Sequence, residues 1–483
     1  MGYTKRAPGA GDSSLLRVLA FGGWNLRHAK SLVLTAIVLT SIGLTELSAA
    51  NVGFVEANGT HFELNGQPYY YVGASFFNAM NLGADPGTRA QLDAVFDGLQ
   101  TLGVTNVRIW ASSEGPGGSD KLTPTLQSTA GSYDEDLFGG LDYALKSAND
   151  HDLRCIMTLT NSWDWSGGMN QYVDWSPTTD KTKTNLDWGQ GDLHEGQGAY
   201  HDQFYTDDNC LQTYRAFVGT VVNRANTQRG GLLYKDDPTI FAWELANEPR
   251  AHAAGQTVLS NWIDGTADYI KSLDGNHMVT TGSEGFFNKP GSTKWWERPA
   301  DTGTDFVANH LSDNIDFACV HIWPFNWRWY PESDPNIHNM EEMYDRCTEF
   351  LQEHIDSAQD DLGKPLVLEE FGLLRDGDHD GDGSEPPGSA TTERDELFDR
   401  YFDMLYASAI ADGSGAGSNF WTYNGDPPQE DNGMYSVWDP DDVSTLLVIS
   451  TAAAQMNSIP EPGTLVLFLA TAFGCSLARR LKR

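Results

Sequence analysis

Thr239-Ile240-Phe241-Ala242-Trp243-Glu244-Leu245-Ala246-Asn247-Glu248-Pro249-Arg250 opens as a short apolar run behind Asp236-Asp237-Pro238 and closes on charge and proline. Such a run, rich in β-branched and aromatic residues, predicts a strand buried on both faces, as in a parallel sheet covered by helices. Alternation along the strand points Glu244 and Glu248 the same way, with Glu248 at the C-terminal end. Outward from it, seven further segments read as strands: 69–77, 104–111, 153–161, 277–283, 316–323, 365–371 and 417–423. Between them lie amphipathic stretches at 137–149, 211–226, 259–273, 340–358 and 395–411, with apolar residues three and four apart. Eight strands alternating with helices predict an α/β fold, the (β/α)8 TIM barrel. A doubly wound open sheet would begin with a glycine-rich phosphate turn, and none follows the first strand.

The barrel organises the remaining segments. Residues 54–68, with turns at Asn58-Gly59 and Asn65-Gly66, predict a small hairpin plugging the barrel floor. Long polar loops at 162–208, 324–338 and 373–392 fall after strands three, six and seven, on the face where barrel enzymes carry their chemistry. Strand seven ends Leu366-Val367-Leu368-Glu369-Glu370-Phe371-Gly372, a second carboxylate at the end of an apolar strand, where burial is costly. Two such glutamates across one mouth approach to about 5–5.5 Å, the separation of retaining glycoside hydrolysis. From the residues alone they are a catalytic pair or two salt-bridged glutamates.

Asn247-Glu248-Pro249 after strand four and Glu370-Phe371-Gly372 after strand seven resemble the signatures of glycoside hydrolase family 5, over about residues 54–458. The resemblance implies that Glu248 is the acid/base and Glu370 the nucleophile, with Asn247 bonding the sugar 2-hydroxyl. Glu369 would then face the helices. Arg108, in Asn106-Val107-Arg108-Ile109-Trp110, matches the family arginine that keeps the nucleophile ionised, and Trp110 beside it is expected at the substrate site. His321-Ile322-Trp323 resembles a family His-x-Tyr in which the tyrosine bonds the nucleophile; here Trp323 stands in its place. Trp421 resembles the sugar platform of the family, an aromatic face for pyranose C–H groups. The loop clusters Trp163, Trp165, Trp175 and Trp323, Trp327, Trp329 lie in polar surroundings, which makes them hard to explain as core. Asn161-Ser162-Trp163-Asp164, Arg250 and Ser283-Glu284-Gly285-Phe286 resemble the mannanase branch, which implies an endo-β-1,4-mannanase acting on a β-mannan polysaccharide. Another β-glucanase on the same barrel is the alternative, and a glycan-binding barrel without catalysis is the alternative of another class.

A net charge of −36 repels nucleic acid and anionic lipid, so neither is expected as a partner. The two ends are basic instead. Lys5, Arg6, Arg17, Arg27 and Lys30 precede the apolar run 32–44, which predicts a secretory signal over residues 1–50. Pro460-Glu461-Pro462, the apolar run 463–478 and Arg479, Arg480, Lys482 and Arg483 resemble the Pro-Glu-Pro sorting tail of Gram-negative bacteria. The tail, 459–483, implies export and sorting machinery as a partner and a secreted or cell-surface enzyme, leaving 51–458 as the catalytic domain. Cys155 and Cys319 lie in apolar runs and read as buried thiols, with one disulfide at most among the mature cysteines. Asp376, Asp378 and Asp380 open like a Ca²⁺ loop, but Pro387 stands where the closing glutamate belongs. Two-carboxylate chemistry calls for no cofactor, and a monomer is expected.

Overall fold

Eight parallel strands form one sheet: β4 (Tyr71–Ser75), β5 (Asn106–Trp110), β6 (Arg154–Thr158), β7 (Ile240–Glu244), β8 (Met278–Thr280), β9 (Ala318–Ile322), β10 (Leu366–Phe371) and β11 (Gly415–Phe420). Their order, β8-β7-β6-β5-β4-β11-β10-β9, is the singly wound sequence of a barrel with one seam. At that seam, between β8 and β9, single hydrogen bonds replace a ladder. Asp316 N donates to Val279 O at 2.9 Å, Thr280 Oγ1 to Phe317 O at 3.1 Å, and His321 N to Glu284 O at 3.3 Å. The structure, a computed structural model, describes residues 52–459 apart from 119–120, 187–195, 295–296, 298–301, 332, 335, 378–384 and 425–434. These residues belong to one compact unit. The signal and tail segments, with Asp378 and Asp380, lie outside the described residues. Among the described residues no helix is long and apolar enough to cross a membrane.

The floor differs from the expected hairpin. β1 (Val55–Asn58), β2 (His61–Leu64) and β3 (Gln67–Tyr69) form a three-stranded antiparallel meander. Its second turn, Asn65-Gly66, has positive φ at both positions, 55° and 75°, which suits the twist of a two-residue turn. Phe62, fully buried, closes the barrel bottom against Tyr71, Phe241 and Phe317 at 5.1–6.4 Å between ring centres.

The helices follow the apolar periodicity. Those at Glu135–Asp150, Asp208–Val222, Gln256–Leu273, Met340–Ser357 and Thr392–Ile410 each bury one stripe on the sheet. Asp207 caps the second by accepting from the backbone N–H of Asn209 and Cys210. The helix at Thr392 receives the Asp376 carboxylate on its first amides, from Thr392 N at 2.9 Å and Glu393 N at 3.0 Å. That side chain is therefore committed to the helix end.

Two sequence expectations are corrected here. Trp329 and Trp175 do pack with the core. Trp329 is fully buried against Trp327 and Phe350, and Trp175 packs on Tyr172 at the core edge. Glu369 does not face the helices, because the β9–β10 register shifts between Leu368 and Glu370. This bulge inserts a residue and re-aims the strand, so Glu369 and Glu370 both face inward. Cys155, Cys210, Cys319 and Cys347 are all buried free thiols, so the disulfide left open from the sequence is not formed.

Candidate active site

Beyond the end of β7 the chain turns sharply. Glu248 holds a φ of 50°, a left-handed conformation that a residue with a side chain adopts at a cost. Its N–H bonds Gly282 O at 2.8 Å, while Asn247 N bonds Thr160 O at 2.9 Å. Neighbouring strand ends thus clamp the strained turn. Glu370 comes from the β10 bulge, and Gly372 after it has a reason to lack a side chain. A Cβ there would lie 2.9 Å from Trp323 Cζ3 and 3.0 Å from Trp421 O. The glycine makes room for the two indoles beside Glu370.

These elements bring Glu248 and Glu370 to one cleft of about 480 Å³, lined also by Trp163, Trp165, Asn247, Arg250, Glu284, Trp323, Asn326, Trp327, Trp421 and Tyr435. One carboxylate oxygen of each glutamate and Nδ1 of His321 lie within 4.8 Å of one another. Among the described residues this is the single close cluster of side chains of metal-binding type. Hydrogen bonding within it and the chemistry below account for all three, and no metal role is assigned to them.

Both carboxylates are tightly held. Arg108 Nη1 pairs with Glu370 Oε1, while its Nε and Nη2 form a fork on Glu244 at 2.6 Å each. Nη2 also donates to Asn247 Oδ1 at 2.9 Å, and Asn247 Nδ2 donates to Asn161 Oδ1 at 3.0 Å. Trp323 Nε1 donates to Glu370 Oε2 at 3.2 Å, so the indole reaches that carboxylate from the position where the sequence resemblance expected a tyrosine. Trp163 Nε1 donates to Glu248 Oε2 at 2.5 Å, and His321 Nδ1 lies 2.8 Å from Glu248 Oε1.

Of the residues predicted for the substrate site, Trp163, Asn247, Arg250, Trp323 and Trp421 line the cleft. Arg108, Trp110, Asn161 and His321 are fully buried behind it, where they orient the lining side chains. Trp110 packs against Trp165 and Trp421 at 5.4 and 5.8 Å. Phe77 lies parallel to Trp421 at 5.6 Å and fixes the plane of that platform. Arg250 pairs with Glu284 and lies over the Trp163 ring at 5.2 Å.

The titrations follow from these contacts. Burial pushes Glu370 above the usual carboxylate range; His321 and Arg108 oppose it, and the charge of Glu248 adds to it. Burial also raises Glu248, but His321, Arg250 and the Trp163 N–H outweigh it and leave that carboxyl low. Burial depresses His321, yet Glu370, Glu248 and Glu369 together raise it to about 10. Of the three groups His321 is therefore the one favoured in its protonated form, one hydrogen bond from Glu248.

Sequence reasoning missed Asn326 and Tyr435 in the lining and the inward placement of Glu369, whereas alternation had already pointed Glu244 the same way as Glu248; the sequence before Tyr435 carries no apolar periodicity to place it.

Comparison with known proteins agrees with the geometry. Residues 52–425 match the family model described as glycoside hydrolase family 5 β-mannosidase-like. Mannan endo-1,4-beta-mannosidase 7 of Arabidopsis thaliana is 34% identical over 84% of this chain and 86% of its own length. Mannan endo-1,4-beta-mannosidase 1 of Oryza sativa subsp. japonica is 35% identical over 80% and 82%. Among solved structures, a glycoside hydrolase family 5 mannosidase from Rhizomucor miehei superposes with a TM-score of 0.71 at 30% identity, covering 85% of this chain and 99% of that one. The endo-1,4-beta-mannanase of the same organism gives 0.62 at 27% identity, covering 83% and 100%. With its glutamate pair at the mouth of an eight-stranded parallel barrel and this likeness along nearly all of the described residues, the chain belongs to glycoside hydrolase family 5, in its β-mannosidase-like group.

Proposed function

We infer that the protein is a retaining endo-β-1,4-mannanase that cleaves internal bonds of mannan, glucomannan or galactomannan. The observation that carries the reading is the approach of the two carboxylates: an oxygen of each lies within 4.8 Å. That separation suits direct attack, whereas an inverting pair stands at roughly 6.5–9.5 Å to admit a water. Glu370 attacks the anomeric carbon as the glycosidic C–O bond breaks, and the leaving oxygen takes a proton through Glu248. Water then attacks the glycosyl-enzyme, Glu248 receives the water proton, and Glu370 is released with the β configuration kept. Arg250 and Glu284, flanking Glu248 over Trp163, suit hydroxyl groups of the sugar on the leaving side. The mannan endo-mannosidases of Arabidopsis and rice, similar over most of the chain, support mannan over other β-glucans.

A second reading, a mannosidase acting on short chains, is favoured by the higher TM-score of the Rhizomucor mannosidase than of the mannanase. Purified enzyme assayed on mannan, glucomannan, galactomannan and carboxymethyl cellulose, with products of mannohexaose resolved, separates the readings. Internal cleavage to a mixture of oligomers is expected. Stepwise release of mannose alone favours the second reading, and activity confined to carboxymethyl cellulose overturns both.

Export through the basic and apolar segment 1–50, with sorting by the Pro460-Glu461-Pro462 tail to a Gram-negative cell envelope, belongs to the same proposal. The apolar runs flanked by Lys and Arg support it, and membrane and medium fractions of cells expressing the full chain test it.

A further inference from the structure

Glu369 is fully buried, and neither of its oxygens has a hydrogen-bond partner among the described residues. An acid in that state is costly unless something nearby compensates its charge. The nearest cationic candidate is His321, whose Nε2, itself without a hydrogen-bond partner, lies 3.7 Å from Glu369 Oε2. The opposite ring nitrogen, Nδ1, is 2.8 Å from Glu248 Oε1 and 3.4 Å from Glu370 Oε2. The imidazole therefore stands between a buried carboxylate below and the reacting pair above, and the β10 bulge places that carboxylate there.

We propose that Glu369 is a positioning residue that acts through His321: its charge holds a proton on Nε2 and so turns Nδ1 toward Glu248 as the seat of the proton used in catalysis. The proposal rests on the glycosidase reading of the cleft. With Nε2–H fixed toward Glu369, a single proton is shared along the short Nδ1–Oε1 contact. On Nδ1 it leaves Glu248 ionised beside an imidazolium. On Oε1 it makes Glu248 the acid facing the leaving oxygen. One proton passes from the pair to the leaving group in the first step, and water returns one in the second.

The groups facing Glu369 agree with this. Arg108 of β5 is a second cation, already engaged by Glu244 and Glu370. Burial raises Tyr71 of β4, Cys319 of β9 and Glu244 of β7, and the negative charge of Glu369 raises each further; burial depresses His310, from Phe306–His310, against a smaller upward pull from Glu369. Glu284 and Glu244 face His321 at longer range. Of these groups His321 alone touches both Glu369 and Glu248.

The test is E369Q, which removes the charge at constant shape. A neighbouring charge moves a titration by roughly one to three units, so the basic limb of kcat/KM on mannan should fall by about one pH unit. E369D should restore it. Loss of activity with the basic limb unmoved assigns Glu369 a structural role only and overturns the proposal. Should E369Q fail to fold, ¹⁵N-histidine NMR of the wild type decides, with His321 assigned by H321Q. Nε2 is expected to stay protonated through the basic limb while Nδ1 titrates, and a bare Nε2 overturns the proposal. Wild type inactive on every glycan sinks the functional reading, whereas the NMR titration needs no turnover and still decides the role of Glu369.

Discussion

Glu370→Ala leaves no nucleophile in the cleft, so kcat on mannan should fall by at least about four orders of magnitude, as when a group acting within a catalytic unit is removed. Azide should then rescue turnover as an α-glycosyl azide. Glu248→Ala should retain glycosylation by substrates with activated leaving groups and give the β-azide. Proton NMR of the first product checks the stereochemistry, and an α anomer appearing first rules out Glu370 as nucleophile. Trp323 invites a finer test. Its N–H bonds the nucleophile at 3.2 Å, so Trp323→Phe should lower kcat about tenfold, the worth of roughly 1.4 kcal/mol for a hydrogen bond to a charged group, while KM stays within about twofold. A raised KM with unchanged kcat would make the indole a sugar platform instead. The pH dependence has a definite sign: Glu370 must be ionised to attack, and its pKa is raised by burial. Activity is therefore lost as pH falls through a value above the ordinary carboxylate pKa of about 4.3, which an acid limb measured at low substrate locates.

Between elements, one buried ion cluster ties the loop after β10, the helix Thr392–Ile410 and the segment that follows β11. Asp442 accepts both Nη1 and Nη2 of Arg375 at 2.7 Å and Nη1 of Arg394 at 3.2 Å. Asp442→Asn removes the carboxylate that the two buried arginines share, a change that costs about 3–5 kcal/mol. The melting temperature should fall by several degrees, and a shift of under a degree would show that water compensates. His310, at the β8–β9 seam, sets acid stability. Nδ1–H donates to Phe306 O at 2.7 Å and Nε2 accepts from Thr281 Oγ1 at 2.8 Å, an arrangement that needs the neutral ring. Burial holds its pKa at about 3, below the unfolded value of about 6.5. The unfolded chain therefore binds the proton first, so stability is full above about pH 6.5 and is lost as pH falls toward 3. Melting temperatures between pH 7 and 4 should drop more steeply for wild type than for His310→Gln.

At the scale of the whole molecule, residues 52–459 close the barrel and carry the entire cleft. A protein of that span should match the full chain in kcat, and a large loss in soluble, folded protein would give the end segments a part in the site. Seven of the eight strands lie inside the segments read from the sequence, and β11 begins two residues earlier, because a strand covered on both faces must be written as an apolar run. The motifs at Asn247-Glu248 and Glu370-Phe371-Gly372 were legible for a related reason: a carboxylate closing such a run is costly to bury and stands out from it. What sequence could not give is whatever depends on a partner distant along the chain. The bulge that turns Glu369 inward exists only in the register of β10 against β9. The burial of Trp329 is set by Phe350 on a separate helix. The resting proton on His321 is decided by Glu248, Glu369 and Glu370, brought within hydrogen-bonding or ion-pair range of its ring by two other strands. The amino-acid sequence by itself determined the barrel and placed a glutamate at the end of each of two apolar strands, since local pattern and residue type suffice for those. Tertiary structure alone decided which groups orient them and where the proton waits, because hydrogen bonds and electrostatic shifts fall off over a few ångströms and are set by distances that linear order does not contain.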